Sequence, residues 1–204
     1  MEKVFISLGR SCDPAEYLNK LGLRKIALPF DWVAAYSGVS KAIKDRCEKF
    51  LPNNVFINSH GNRHPANMDY NMLFTHHSFP QSNDSFKRRI DRFYKLLEST
   101  DKQLIFFKAG HGTGDHGAEA PKKYDWPISN DIIECEEIYD FLKEEYPNLN
   151  FQIELLPTCE VCYQPEMQYK SEKINIHNML SQGQKNGRRF FIHKCMNQII
   201  PNLK

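Results

Sequence analysis

One cysteine sits where the backbone itself can activate a thiol. Cys12 follows an apolar run, Val4 to Leu8, closed by Gly9, and precedes Asp13-Pro14, residue types that open helices. A thiol at such a junction faces backbone N–H groups and the positive end of a helix dipole, and both favour the thiolate. Arg10, two residues earlier, adds a positive charge, and the amides from Gly9 to Cys12 offer an oxyanion site for an acyl intermediate. The competing reading is a small core residue, because reduced cysteine is among the most buried residue types. A cysteine nucleophile needs a base, and the base needs an orienting group. His76 and His77 end a β-like run, Met72 to Thr75, so strand alternation turns one to each side and brings at least one to the sheet edge. Asp31, Asp69, Asp84 and Asn71 are available as orienters. Asp31 stands out among them, because a carboxylate between Phe30 and Trp32 must be paired or functional.

Other constellations carry weaker signals. Gly112, Gly114 and Gly117 spell a G-x-G-x-x-G after a strand, but Pro121, Asp125, Trp126 and Pro127 separate it from the next helix, which a dinucleotide cradle would need at once. The expectation is instead an active-site loop that carries His111, Asp115, His116 or Glu119 to a substrate, with a plain surface loop as the alternative. Cys159-x-x-Cys162 with His193-x-Cys195 makes a conceivable zinc set whose spacing fits no common finger. His60 and His64 have the spacing of two ligands on a helix, yet Gly61 and Pro65 make that segment a loop. No metal and no cofactor is expected. Lys87, Arg88, Arg89, Arg92 and Lys95 form a basic helical face that either holds anionic groups of a nucleotide or glycan or is simply solvated. Trp32 beside Phe30 is either a sugar-stacking wall or a core residue.

The elements that must position these groups follow from apolar spacing and stop signals. A strand is expected over Met1 to Gly9, then a helix from Cys12 or Asp13 to Gly22, with Ala15, Leu18 and Leu21 on one face. Leu23 to Leu28 reads as a short extended piece, and Phe30 to Trp32 as a loop or helix entry. Ser37 or Ser40 caps a helix carrying Val39, Ile43, Cys47, Phe50 and Leu51, stopped by Pro52. Two β-like runs, Val55 to Ile57 and Met72 to Thr75, precede a helix capped by Asn83 or Asp84, in which Phe86, Ile90, Phe93 and Leu97 fall on one stripe. Lys102 to Lys108 is a strand, and Ala109 to Pro127 a loop. Ser129 opens a helix packed through Ile133, Ile138, Phe141, Leu142 and Tyr146. Asn150 to Leu156 is a strand, an irregular stretch follows to about Gly187, and Arg189 to His193 reads as a last strand.

Alternation of strands and helices predicts one α/β domain over residues 1–204, a three-layer arrangement with a mostly parallel central sheet and helices on both faces. Such sheets bind ligands beyond the carboxyl ends of their strands, where Cys12, the His76-His77 pair, the Gly110 loop and Cys159 all fall. The 204 residues suffice for a substantial core. With 27 Lys and Arg against 25 Asp and Glu, neither a disordered chain nor a polycationic nucleic-acid binder is indicated. No apolar window reaches the roughly 18 residues a membrane span requires, and Val4 to Leu8 is too short for a signal segment. Six scattered cysteines suit a reducing compartment better than a disulfide scaffold. A cytoplasmic protein with no nucleic-acid partner and no membrane span is expected.

Ser7-Leu8-Gly9-Arg10-Ser11-Cys12 with Ala15 and Leu18, then Leu23-Arg24, then Pro29-Phe30-Asp31-Trp32, together resemble a family of papain-like cysteine peptidases catalogued as a domain of unknown function in bacteria and large DNA viruses. Phe74-Thr75-His76-His77 and the Arg88/Arg89 to Arg92-Phe93 helix leading into Leu104-Ile105-Phe106-Phe107 are similar to that family too, so the resemblance runs through residue 108. It implies a cysteine-dependent hydrolase with Cys12 as nucleophile and a histidine of the His76-His77 pair as base, acting on a peptide or a glycan-linked substrate. Family members occur near or fused to glycosyltransferases. That implies a second reading, a glycan-modifying or nucleotide-sugar-binding domain that uses Asp31, His76 or His77 and the basic helix.

Overall fold

The computed structural model describes residues 1–110, 118–128, 130–157, 169–177 and 187–203. In chain order these form β1 (Glu2–Ser7), α1 (Asp13–Lys20), β2 (Ala34–Ala35), α2 (Val39–Lys44), β3 (Asn54–Ile57), β4 (Arg63–Asn67), β5 (Met72–Leu73), α3 (Asn83–Leu97), β6 (Lys102–Ala109), α4 (Glu119–Tyr124), α5 (Asp131–Glu145), β7 (Asn150–Leu156), β8 (Asn175–Ile176) and α6 (Gly187–Leu203). The fold is α/β, with two sheets. One has the order β1-β6-β7-β8 and every pairing in it is parallel. The other, β2-β5-β4-β3, is antiparallel; β3 and β5 overlap the expected runs Val55 to Ile57 and Met72 to Thr75, whereas β2 and β4 were not anticipated, because β2 is two residues long and β4 reads Arg-His-Pro-Ala-Asn with no apolar alternation.

The parallel sheet is buried on both faces, as the continuous apolar run of β6 requires. Leu104 and Phe106 point to one side, where they join Ile6 and Leu8 of the first strand segment, Phe86, Phe93 and Leu97 of α3, and Cys135, Ile138 and Leu142 of α5. Ile105 and Phe107 point to the other, against Tyr17 and Leu18 of α1 and Ile192, Cys195, Met196 and Ile199 of α6. Each such buried side chain contributes about 1.5–3 kcal/mol of transfer free energy. The short strand β8 is held on by Glu154 of β7, whose carboxylate accepts from Asn175 and bonds the His177 ring.

Several elements differ from expectation. Arg189 to His193 is the first part of α6, not a strand. The cause is the continuation of the pattern, for Ile192, Cys195, Met196 and Ile199 are buried at helical spacing, which a five-residue window hides. The helix expected to run from Val39 to Leu51 stops at Lys44, where Arg46 and Cys47 take left-handed φ values of 55° and 58° and fold Phe50 back into the core. Leu23 to Leu28 pairs with no strand among the described residues, and a six-residue helix, α4, lies within the expected Ala109–Pro127 loop. Asn130, not Ser129, caps α5 by accepting from the Ile132 and Ile133 amides; Ser129 lies outside the described residues. Ile133 is exposed rather than packed.

One buried ion pair ties three elements together. Lys108, fully buried near the end of β6, meets Glu134 of α5 at 2.8 Å. The other Glu134 oxygen accepts the Val39 amide at 2.8 Å. It thereby caps α2, whose own N-cap, Gly38, has no side chain and takes φ 80° with its Cα facing the Tyr70 carbonyl. Burial opposes both charges, yet Lys108 stays protonated above the usual lysine range and Glu134 stays ionised below the usual carboxylate range, because each faces the other. Glu134→Ala should cost about 3–5 kcal/mol by leaving a buried ammonium unpaired. Lys108→Met with Glu134→Leu should recover part of that loss in urea unfolding. Since the folded pKa of Glu134 is depressed, its contribution is present above the ordinary carboxylate value of 4.5 and is lost as pH falls through the lower folded value. Unfolding free energies that decline equally in wild type and Glu134→Gln on acidification would contradict this.

Candidate active site

The site begins where β1 leaves the parallel sheet. The ladder continues one residue past β1, with the Leu8 amide donating to the Phe107 carbonyl at 2.9 Å. Gly9 and Arg10 then take φ values of 75° and 77°, turning the chain out of the sheet plane. A Cβ at Gly9 would make only ordinary contact with the Phe30 carbonyl, so it is the left-handed turn that calls for glycine there. Left-handed φ at an arginine is uncommon and stores strain of the kind that gathers at functional sites. Cys12 follows as the N-cap of α1, half-buried, its carbonyl accepting the first helical bond from the Glu16 amide at 2.8 Å.

The second wall comes from the antiparallel sheet. Ala34 pairs with Leu73 and Ala35 with Met72. The Trp32 and His76 rings meet edge to face at 5.7 Å between centroids. Between the walls lies a cleft of about 250 Å³ lined by Arg10, Cys12, Trp32, Tyr36, Thr75 and His76, among others. Arg10 is buried and its guanidinium lies over the Tyr36 ring at 5.2 Å. Of the residues expected from the sequence, Arg10, Cys12, Trp32 and His76 therefore share one cleft.

The remaining candidates are placed elsewhere. Asp31 is buried, and one of its oxygens accepts the Leu28 amide at 2.8 Å and both Nε and Nη2 of Arg24 at 2.8 Å. Burial raises its pKa against the lowering effect of Leu28 and Arg24. Its reach to the cleft is indirect, because the Arg24 guanidinium lies 5.8 Å from the Trp32 ring. His77 packs edge to face on Phe86 at 4.8 Å and sits 3.5 Å from Arg89, on the α3 side. Arg92 donates to the Ala27 carbonyl at 3.1 Å, and Arg88 is exposed. His111 and His116, with Asp115 and the three glycines of the motif, lie outside the described residues, as do Cys159 and Cys162. Glu119 accepts from the Ser59 amide and hydroxyl, pinning α4 to the β3–β4 hairpin. His64 stacks on Phe56 within β4, and His60 is exposed on the turn before it. Cys195 is buried in the α1–α6 cluster, and the His193 ring stacks on Tyr17 at 4.4 Å.

Residues not singled out from the sequence also shape the cleft. Tyr36 gives no sequence signal, since a lone tyrosine is common, and Thr75 enters only as part of the Phe74-Thr75-His76-His77 motif. Asp13 and Glu16 do carry one, for Cys12 and Glu16 stand at i and i+4 of a helix and share a face. Donor atoms of Cys12, Asp13 and Glu16 lie within 4.8 Å of one another, and Asp13 also accepts the Ser11 hydroxyl at 2.8 Å. The sulfur thus feels opposing fields, with helix N–H groups favouring a thiolate and two carboxylates opposing it. The same three donors are the set among the described residues that could hold a metal ion. Cys47, Cys135 and Cys195 differ in kind: all are buried, and burial pushes the thiols of Cys47 and Cys195 up to about 12 and that of Cys135 up as well.

Comparison with known proteins adds a family. A family model described as "Putative papain-like cysteine peptidase" matches residues 3–117, a span that contains every residue lining the cleft. An uncharacterized protein of Acanthamoeba polyphaga mimivirus is 31% identical over an alignment of 138 residues that covers 52% of this chain and 61% of the viral protein. The match thus spans less than two thirds of that relative's length. No solved structure matches the chain.

Burial, with Arg89 and His76 nearby, holds His77 down to about 4, against 6.5 for an ordinary imidazole. The folded protein therefore binds fewer protons at His77 than the unfolded chain between those values, and stability should fall as pH drops from 6.5 towards 4. Urea midpoints at pH 7 and pH 5 should separate less in His77→Gln than in wild type. An unchanged separation would remove His77 as the source of that slope.

Proposed function

The chain belongs to the family described as "Putative papain-like cysteine peptidase", and from that premise we propose that it is a cysteine-dependent hydrolase of acyl bonds, with a peptide as the substrate class. The observation that carries this reading is the meeting of Cys12 and His76 in one cleft, from two different sheets, beside a turn strained at Arg10. His76 takes the thiol proton as Sγ of Cys12 attacks the carbonyl carbon, and backbone amides of the Ser11–Cys12 turn receive the oxyanion. The proton passes to the leaving nitrogen as the C–N bond breaks, leaving a thioester. Water, deprotonated by His76, then releases the acid and restores the thiol.

Trp32 fixes the imidazole by its edge-to-face contact, and Asp31 acts behind it by holding Arg24 against the Trp32 face. Asp31 is in this reading a positioning residue. The whole chain, residues 1–204, works as one α/β unit, with helices on both faces of the parallel sheet. Support for this comes from the β6–β7 pairing and the Lys108–Glu134 pair, both of which join the family-matched part to the rest. A nucleophilic thiol works best in a reducing compartment, which supports a cytoplasmic setting. Among the described residues no helix is long and apolar enough to cross a membrane.

Iodoacetamide should label Cys12 in the native protein near neutral pH, while Cys47, Cys135 and Cys195 label only after denaturation. With an acyl-ester or peptide probe, Cys12→Ala should abolish turnover and His76→Ala should lower it by about 10²–10⁴. His77→Ala should leave turnover within a few-fold of wild type. A Cys12 that labels only when the protein is unfolded, or turnover that survives Cys12→Ala, would overturn the reading.

A further inference from the structure

The basic face of α3 is not uniformly solvated. Its two acids each face a lysine on the same helix, Asp84 with Lys87 at 3.8 Å and Asp91 with Lys95 at 2.8 Å. The arginines are left out of that arrangement. Arg89 is half-buried, with its guanidinium over the Phe86 ring at 4.8 Å and beside His77, and it makes no ion pair among the described residues. Arg92, also half-buried, donates to the Ala27 carbonyl and likewise has no carboxylate partner among the described residues. That bond lays the 24–31 segment along α3 and brings Arg24 into the group, already committed to Asp31 on one edge. Burial disfavours the Arg89 charge; Asp31 supports it, and the charges of Arg24, Arg92 and Arg88 oppose it.

Three clustered guanidiniums against one carboxylate leave two positive charges without a counter-charge, at residues too buried for water alone to screen well. Folding tolerates such a cluster when an anion completes it. A phosphate monoester carries close to two negative charges near neutral pH and presents oxygens that planar guanidinium forks grip in pairs. His77, neutral at that pH, adds a ring nitrogen able to donate to the same oxygens.

We propose that Arg89, Arg92 and Arg24, with His77, form a binding site for the phosphoryl group of a small phosphorylated molecule, alongside the Cys12 cleft and behind its Trp32 wall. The site does not depend on the hydrolase reading. Its position beside Trp32 and His76 makes it suited to a substrate or effector that is itself phosphorylated.

Isothermal titration of the full chain at constant ionic strength tests this, with inorganic phosphate, a nucleoside monophosphate and a hexose phosphate as probes and acetate as the monoanionic control. Phosphate should bind saturably and acetate should not. Arg89→Gln and Arg92→Gln should each weaken phosphate by about tenfold or more, and Arg89→Lys by less. The pair Lys87→Gln/Lys95→Gln on the same helix should leave binding unchanged. Cys12→Ala should bind phosphate as wild type does, and Arg89→Gln should keep native labelling of Cys12, so that the two readings fail separately. Equal affinity for all three phosphates supports a site for the phosphoryl group itself, and tighter binding of one ester supports it while naming the attached group. No saturable binding, acetate binding as well as phosphate, or equal losses in the lysine pair would overturn the proposal.

Discussion

The constraint on which the rest depends is the parallel register of β1 with β6. Ser7 pairs with Phe107, so both strands end at the same edge of the sheet, and the Leu8 amide closes the last rung on the Phe107 carbonyl. Whatever follows β1 and whatever follows β6 must then emerge side by side. One chain delivers Gly9 to Cys12 and the start of α1. The other delivers Lys108, held from α5 by Glu134. A slip of one residue would exchange Leu104 and Phe106 with Ile105 and Phe107 between two differently shaped clusters, so the register, and with it the position of the sulfur, is set by the packing of the core.

The parallel sheet alone supplies half a site. Its carboxyl edge presents the Cys12 thiol at a helix N-terminus, and the His76 imidazole comes from beside a separate antiparallel sheet whose strands are too short to be stable by themselves. What holds that sheet in place is aromatic packing. Phe50 meets Phe30, Phe74 and Phe86 within 6 Å, and Phe30 in turn meets Phe93 of α3. The Phe30–Trp32 segment is thus clamped from below by that packing. The His76 ring inherits its place from this clamp through Trp32, and its distance from Cys12 is a property of the core.

Much of this was legible in the sequence, and the pattern of what was not is physical. Elements with a full apolar period, such as β1, α3, β6 and β7, declare themselves because burial of one stripe or one run dictates spacing. Arg63 to Asn67 did not, since β4 is specified by its hydrogen-bonding partners and by side chains such as Asn67 and Tyr70 that satisfy backbone groups. The last helix was mistaken for a strand because Arg-Phe-Phe-Ile-His is apolar enough for either, and only the following residues break the tie. Within the site, Cys12 and Trp32 follow from local chemistry. The choice between His76 and His77 does not, because adjacent residues diverge by alternation, and which way each faces is decided by Phe86 and Arg89 on a helix that lies later in the chain.

Asp31 illustrates how a correct physical premise can reach a different residue role. A carboxylate between Phe30 and Trp32 has to be paired or functional, and the structure pairs it, through Arg24 and the Leu28 amide. Pairing is not the end of its effect. The arginine it holds lies over the Trp32 ring, the ring abuts His76, and the same arginine joins Arg89 and Arg92 around the 24–31 segment. Loss of the carboxylate would leave Arg24 without the partner that fixes its direction. It would also raise the uncompensated positive charge of the cluster by one. A buried acid can therefore govern both the aromatic wall of the cleft and the field beside it through the single arginine it holds, which is why its sequence context marks it as important while saying nothing of what it contacts.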